Sequence, residues 1–162
     1  MGAAATAKRS RRRFDSPQQE AFLALWRTYD RLRAHEDELF ARFDLTPQQY
    51  NALRLLRAEH PDPLPTLMLA ERLVSRAPDI TRMLDKLEER GLIARVRPPE
   101  NRRSVLVSLA DPGFALIEEI AAPLKACHAK QLGHMSAAEL QQLIELLQAA
   151  REPHEPEHSI WK

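Results

Sequence analysis

Helix starts constrain this chain more than any other feature, because three short stretches mark them plainly. Thr46-Pro47-Gln48-Gln49 places a hydroxyl at an N-cap, a proline at the first helical position and a glutamine three residues after the cap. Ser16-Pro17-Gln18-Gln19 repeats the device, and Ser136-Ala137-Ala138-Glu139 is a third capping box. Leu45 is placed to staple onto Tyr50, and Asp111-Pro112 reads as a fourth start without the reciprocal glutamate. The chain is therefore expected to be mainly α.

Apolar spacing fills in the helices. Phe22, Leu25, Trp26, Tyr29, Leu32, Leu39 and Phe43 recur at three- and four-residue steps, so a first helix is predicted over Ser16–Phe43. It would span about 42 Å, more than a small domain's core can cover, so part of its stripe needs another partner. A second helix, Pro47–Glu59, would bury Tyr50, Leu53 and Leu56 before His60-Pro61-Asp62-Pro63-Leu64-Pro65 interrupts it. Thr66–Leu73 and Pro78–Arg90 form a third and fourth helix, with Ser75, Arg76 and Ala77 between them and Gly91 as a left-handed cap. Two more are expected at about 112–132, bent at Pro123, and 137–151, before a proline- and histidine-rich tail.

After Gly91 the period changes. Leu92–Arg97 and Ser104–Leu109 alternate and are rich in β-branched residues, which suits strands, and the polar loop Pro98–Arg103 joins them. A short helix, a brief turn, a second helix and a β-hairpin with a basic tip make a winged helix-turn-helix. On the fourth helix Ile80, Met83, Leu84 and Leu87 form the anchoring side. Arg76, Asp79, Arg82 and Lys86 fall largely elsewhere, with Ser75 and Thr81 near its entrance. A helix in a major groove must present such short polar and long basic side chains. Arg102 and Arg103 at the hairpin tip are suited to an adjacent minor groove.

Charge is distributed to match. The net charge is only +1, yet residues 65–110 carry nine basic and six acidic groups, and residues 1–13 carry five basic groups and no acidic one. Residues 14–44 sum to −3 and 111–162 to −4, so a phosphate backbone is drawn to the middle and the leading arm.

Residues 69–109 also resemble the MarR family of bacterial regulators. The likeness runs from Leu69-Ala70-Glu71-Arg72-Leu73 through Ile80-Thr81-Arg82-Met83-Leu84-Asp85-Lys86-Leu87-Glu88-Glu89-Arg90-Gly91-Leu92-Ile93 to Asn101-Arg102-Arg103-Ser104-Val105-Leu106-Val107-Ser108-Leu109. The resemblance implies a homodimer whose first, fifth and sixth helices interlock, two winged domains on a pseudo-palindromic operator, and release by a small aromatic effector. It matches Thr81 and Arg82 to major-groove positions, and Asn101 and Arg103 to the family's Asp-x-Arg wing motif. Asparagine in place of the usual aspartate reduces a carboxylate–arginine pair to an amide contact. Leu67-Met68-Leu69 is a second departure, because members often place a polar residue there.

The expected organisation is thus a disordered basic arm (1–15), a helical dimerisation region (16–44 and 111–152), a DNA-binding domain (45–110) and a flexible tail (153–162). The expected function is sequence-specific DNA binding, as a transcriptional repressor and homodimer. The alternative is a winged-helix module that binds proteins and has no operator of its own; steep, log-linear salt dependence separates the two. Trp26, Tyr29 and His35 on the first helix, with Tyr50 on the second, are candidates for an effector pocket or for ordinary core.

Other chemistry finds little purchase. His154-Glu155-Pro156-Glu157-His158 matches the H-E-x-x-H zinc signature, but Pro153 and Pro156 break the helix it needs. Cys127 lies in register with the apolar Ile117, Ile120 and Leu124, where thiols are usually inert, and Cys127, His128 and His134 lack compact zinc-ligand spacing. No Gly-rich phosphate loop, nucleophile elbow or carboxylate pair is found, so no enzyme and no cofactor are expected. The start of the chain is basic with no apolar core, and no apolar run approaches the roughly 20 residues of a membrane helix. A cytoplasmic protein without membrane partners follows as the expectation.

Overall fold

A computed structural model of the chain describes residues 14–162. In chain order the elements are α1 (Pro17–Ala41), α2 (Pro47–Glu59), β1 (Leu64–Pro65), α3 (Thr66–Arg72), α4 (Ile80–Glu89), β2 (Ile93–Val96), β3 (Leu106–Leu109), α5 (Asp111–Leu132) and α6 (Ala137–Arg151). By compactness the described chain divides within α1, one unit reaching Ala34 and the other covering His35–Lys162. Most of the basic arm falls outside the described residues. No helix among the described residues is long and apolar enough to cross a membrane.

The capping boxes form where the sequence predicts them. Thr46 Oγ1 accepts from the Gln49 amide at 3.1 Å while Gln49 Oε1 accepts from the Thr46 amide at 2.9 Å. Ser136 and Glu139 exchange the same pair of bonds at 3.3 and 2.8 Å, and this backbone donor holds the Glu139 carboxyl below the usual glutamate range. At Ser16 the hydroxyl accepts from Gln19 at 3.1 Å, but the Gln19 side chain reaches back to the Asp15 amide instead. The fourth start is displaced by one residue: Ala110 is the N-cap of α5, and Asp111 and Pro112 lie in its first turn.

Residues 35–162 pack around one core. Leu53 and Leu56 of α2, Leu69 of α3, Leu84 and Leu87 of α4, Val107 of β3 and Ile117 and Ile120 of α5 are all buried in it. The sheet corrects the two-stranded hairpin expected from sequence. It has three antiparallel strands in the order β1-β3-β2, with Leu64 opposite Val107 and Ile93 opposite Leu109. Pro65 disguised β1, since a proline cannot donate to a ladder; an edge strand tolerates that loss. The side chain and amide of Thr66 both donate to the Val105 carbonyl, extending the join.

Gly91 closes α4 in the left-handed conformation, at φ +67°. Its amide donates to the Glu88 carbonyl at 2.8 Å and the Leu92 amide to the Leu87 carbonyl at 3.0 Å, the paired bonds of a Schellman motif. The Arg90 guanidinium leaves this end of the helix and donates to the Phe43 and Asp44 carbonyls at 3.1 and 2.5 Å.

Residues 153–162, expected to be a flexible tail, are tied back. A 3₁₀ turn covers Glu152–His154, and Arg151 donates to the Trp161 carbonyl at 2.9 and 3.1 Å. The helix does not continue from His154 to His158, so the zinc-signature spacing has no shared face to act from.

Two glycines separate conformational strain from crowding. A Cβ on Gly91 would meet open space, so Gly91→Ala should cost only the left-handed penalty, about 1 kcal/mol. A Cβ on Gly113 would collide with the Leu92 carbonyl oxygen and the Leu109 side chain. Gly113→Ala should therefore lower the urea midpoint clearly more than Gly91→Ala does.

Candidate nucleic-acid interface

Helix α4 is amphipathic in the sense its position demands. Leu84 and Leu87 are 1 % and 0 % exposed, and Ile80 and Met83 pack part-buried beside them. Thr81, Arg82 and Lys86 are exposed. Asp79, expected among the DNA-facing residues, caps the helix by accepting from the Arg82 amide at 2.9 Å. A carboxylate in that place neutralises an orphan donor and the positive end of the helix dipole, although its charge would repel a phosphate.

The turn between α3 and α4 is held from α2. Gln48 Nε2 donates to Ser75 Oγ at 3.2 Å and to the Arg76 carbonyl at 3.3 Å, and Asn51 Oδ1 accepts from the Val74 amide at 3.0 Å. Ser75 and Arg76 are exposed, with the Ser75 hydroxyl partly committed to this brace. Sequence reading missed Gln48 and Asn51. Their partners lie 27 and 23 residues away, and local spacing carries no trace of such a contact.

Asn101, Arg102 and Arg103 are exposed on the loop between β2 and β3. The amide contact expected between Asn101 and Arg103 does not appear among the bonds of the described residues. Backbone turns fold this loop instead: the Asn101 amide donates to the Pro98 carbonyl, and the Ser104 amide to the Asn101 carbonyl. Arg97 adds a bond to the Arg102 carbonyl at 3.3 Å.

What fastens the wing to α4 is Arg95, a residue the sequence did not single out. Its Nε donates to Glu88 at 2.9 Å, and its Nη2 reaches Glu88 and Asp85 at 2.6 Å each. The hydrogen bond from Arg95 pulls the Glu88 carboxyl below the ordinary glutamate range, and Glu88 in turn raises the Arg95 guanidinium. Thr81, Asn101 and Arg103 come together with Arg95 around a cavity of about 940 Å³ between α4 and the wing. Among the described residues, none of Arg76, Arg82, Lys86, Arg102 and Arg103 pairs with a carboxylate. Five exposed cations without internal partners are available to an external polyanion.

The effector candidates have local contacts of their own. Tyr50 stacks on Phe40 with ring centroids 4.7 Å apart, and burial pushes its phenol up. His35 is half-buried. In the unit reaching Ala34, Trp26 and Tyr29 are exposed, and Trp26 meets Phe22 at 6.1 Å. Cys127 is buried, and desolvation raises its thiol, which disfavours the nucleophilic thiolate. Among the described residues, no group of three or more His, Cys, Asp or Glu is arranged to hold a metal.

The MarR family model matches residues 45–105, the segment that runs from α2 through α3, α4 and β2 to the end of the wing loop, just before β3. A MarR transcription factor from Planctomyces limnophilus is 54% identical over 85% of this chain and 99% of its own, with a TM-score of 0.68. The chain belongs to the MarR family. The MarR fold recurs in a family regulator from Streptomyces coelicolor solved in complex with DNA, at 18% identity, 92% and 95% coverage and TM-score 0.77. It recurs again in Bordetella bronchiseptica BpsR, whose DNA binding is regulated by 6-hydroxynicotinic acid, at 23% identity, 88% and 98% coverage and TM-score 0.74.

The lowered Glu88 carboxyl makes the wing's attachment pH-dependent with a definite sign. A depressed value stabilises the fold above the ordinary glutamate range, and that contribution is lost as pH falls through it. Glu88→Gln should therefore melt below the wild type at neutral pH. The gap should narrow as pH falls through and below the ordinary glutamate range, when both are followed by circular dichroism.

Proposed function

We propose that this chain is a DNA-binding repressor of the MarR family that docks on a pseudo-palindromic operator as a homodimer. The observation that carries the reading is α4. Its leucines are sunk in the core, and its polar face, the preceding turn and the wing tip expose cations without internal partners. Thr81 and Arg82 are the readers of base edges, and Arg102 and Arg103 follow the backbone or enter a minor groove. Ser75, Arg76 and Lys86 add contacts at the edge, while Asp79 and Asn101 shape the backbone that presents them. That a family regulator of this fold from Streptomyces coelicolor was solved in complex with DNA supports DNA as the partner.

Each dimerisation segment supports the second copy on its own terms. Phe22, Trp26 and Tyr29 of α1 are 62 %, 61 % and 58 % exposed. Helix α6 buries no residue, and its Ile144 and Leu146 are 57 % and 62 % exposed. Apolar surface of that extent on long helices needs a partner. A small aromatic acid is proposed to release the DNA; the regulated Bordetella bronchiseptica relative supports an effector of that class. The protein acts in the cytoplasm and catalyses no reaction.

Selection from a random duplex pool, followed by footprinting with and without aromatic acids, tests the whole reading. Arg82→Ala should lose about 1–3 kcal/mol of discrimination at one base pair of the selected site. Arg103→Ala should weaken all duplexes alike and reduce the log-log salt slope by about one. Salt-independent binding would instead favour a protein-interaction module. Light scattering at micromolar concentration should give twice the mass of 18.6 kDa, and a monomer would remove the symmetric operator.

A further inference from the structure

The turn that leads into α4 is held by side chains of α2 and not by its own backbone. Among the described residues, Val74, Ser75 and Arg76 take part in no backbone–backbone hydrogen bond of a turn, loop or cap. Each is tied to α2 instead. The Val74 amide donates to Asn51 Oδ1 at 3.0 Å, and Gln48 Nε2 donates to Ser75 Oγ and the Arg76 carbonyl at 3.2 and 3.3 Å. Gln48 and Asn51 lie three positions apart on α2, so one side of that helix makes all three bonds. The capping box fixes where α2 starts and gives its two glutamines different work. Gln49, buried, closes the cap, while Gln48, exposed, meets the turn.

We infer that Gln48 is a positioning residue of the DNA surface, and that it acts by leaving the Ser75 hydroxyl as a donor to a backbone phosphate. Which group can donate decides the direction. The Gln48 side-chain nitrogen only donates, so Ser75 Oγ serves it as an acceptor and keeps its own hydrogen. No bond among the described residues takes that hydrogen, and Ser75 is exposed. A hydroxyl that already accepts one bond is a stronger donor in its next. A phosphate diester supplies the matching partner, an oxygen that only accepts. The second Gln48 bond steadies the main chain beside it, from which the exposed Arg76 side chain extends. Ser75 thus adds a short directed bond where Arg76 adds charge. An acceptor in place of Gln48 would reverse the arrangement, with Ser75 donating inward and turning a lone pair to the phosphate. The inference rests on the DNA-binding reading of α4 and deepens it, by giving the turn a neutral contact whose direction is set from α2.

The test is a double-mutant cycle in the full chain, titrated against the duplex that the wild type selects from a random pool. Gln48→Met keeps the length of the side chain and removes its donor, and Ser75→Ala removes the hydroxyl. Both positions are exposed, so both variants should melt close to the wild type. Ser75→Ala should weaken binding roughly three- to tenfold with an unchanged log-log salt slope, because a hydroxyl displaces no counterion. Gln48→Met should weaken it at least as much. Adding Ser75→Ala to Gln48→Met should then cost little more, a coupling that a merely structural role for Gln48 would not produce. Additive losses, or wild-type affinity in either single variant, overturn the positioning role and leave the DNA reading intact. A wild type that selects no duplex overturns the DNA reading, and the role of Gln48 falls with it.

Discussion

Helix α4 can keep one face wholly polar only because its other face is held without slack. Leu84 and Leu87 meet Leu69 from α3 and Val107 from β3 in the same buried cluster. Burying two leucines contributes about 3–6 kcal/mol relative to leaving them in water, enough to hold a ten-residue helix that would not persist alone. A polar or shortened residue at either position would leave the cationic face in place chemically but without a fixed direction. The direction of that polar face is therefore a property of the core.

The periphery of α4 is set by directional bonds of a different kind. Asp79 begins the helix, Gln48 and Asn51 hold the turn before it, and Arg95 locks the wing against it through Asp85 and Glu88. These bonds spend acidic groups internally. Asp85 and Glu88 would oppose a phosphate if left free, but Arg95 occupies both. Arg95 offsets one of these two negative charges, and among the described residues Arg76, Arg82, Lys86, Arg102 and Arg103 keep theirs free of internal carboxylate partners.

The helices and their limits were legible because capping and apolar period are local properties. Thr46 with Gln49, Ser136 with Glu139, and Gly91 at positive φ all act within a few residues, and each is found where the sequence places it. The nine residues chosen for the interface are all exposed; for Thr81, Arg82 and Lys86 this follows from the helical period around Leu84 and Leu87, and for the rest from their place in polar turns. What escaped was long-range. Strand β1 was hidden by Pro65, whose pairing with Leu106 spans forty-one positions of chain. Arg95 read as one more basic strand residue, since only the folded wing brings Glu88 and Asp85 beneath it. The tail read as loose because the bonds from Arg151 to the Trp161 carbonyl appear only once the chain has turned back after α6.

Arg90 joins two distant pieces of backbone in a way that bears on motion. Its guanidinium grips the carbonyls of Phe43 and Asp44, just past the end of α1, from the last turn of α4. A shift of that corner must either tear two charge-assisted bonds or drag the end of α4 with it. Each such bond, even trimmed by exposure, exceeds thermal energy of about 0.6 kcal/mol. Dragging is the cheaper course, so the corner and helix α4 behave as a crank and its shaft: torque applied where α1 ends is carried to the C-terminal end of α4.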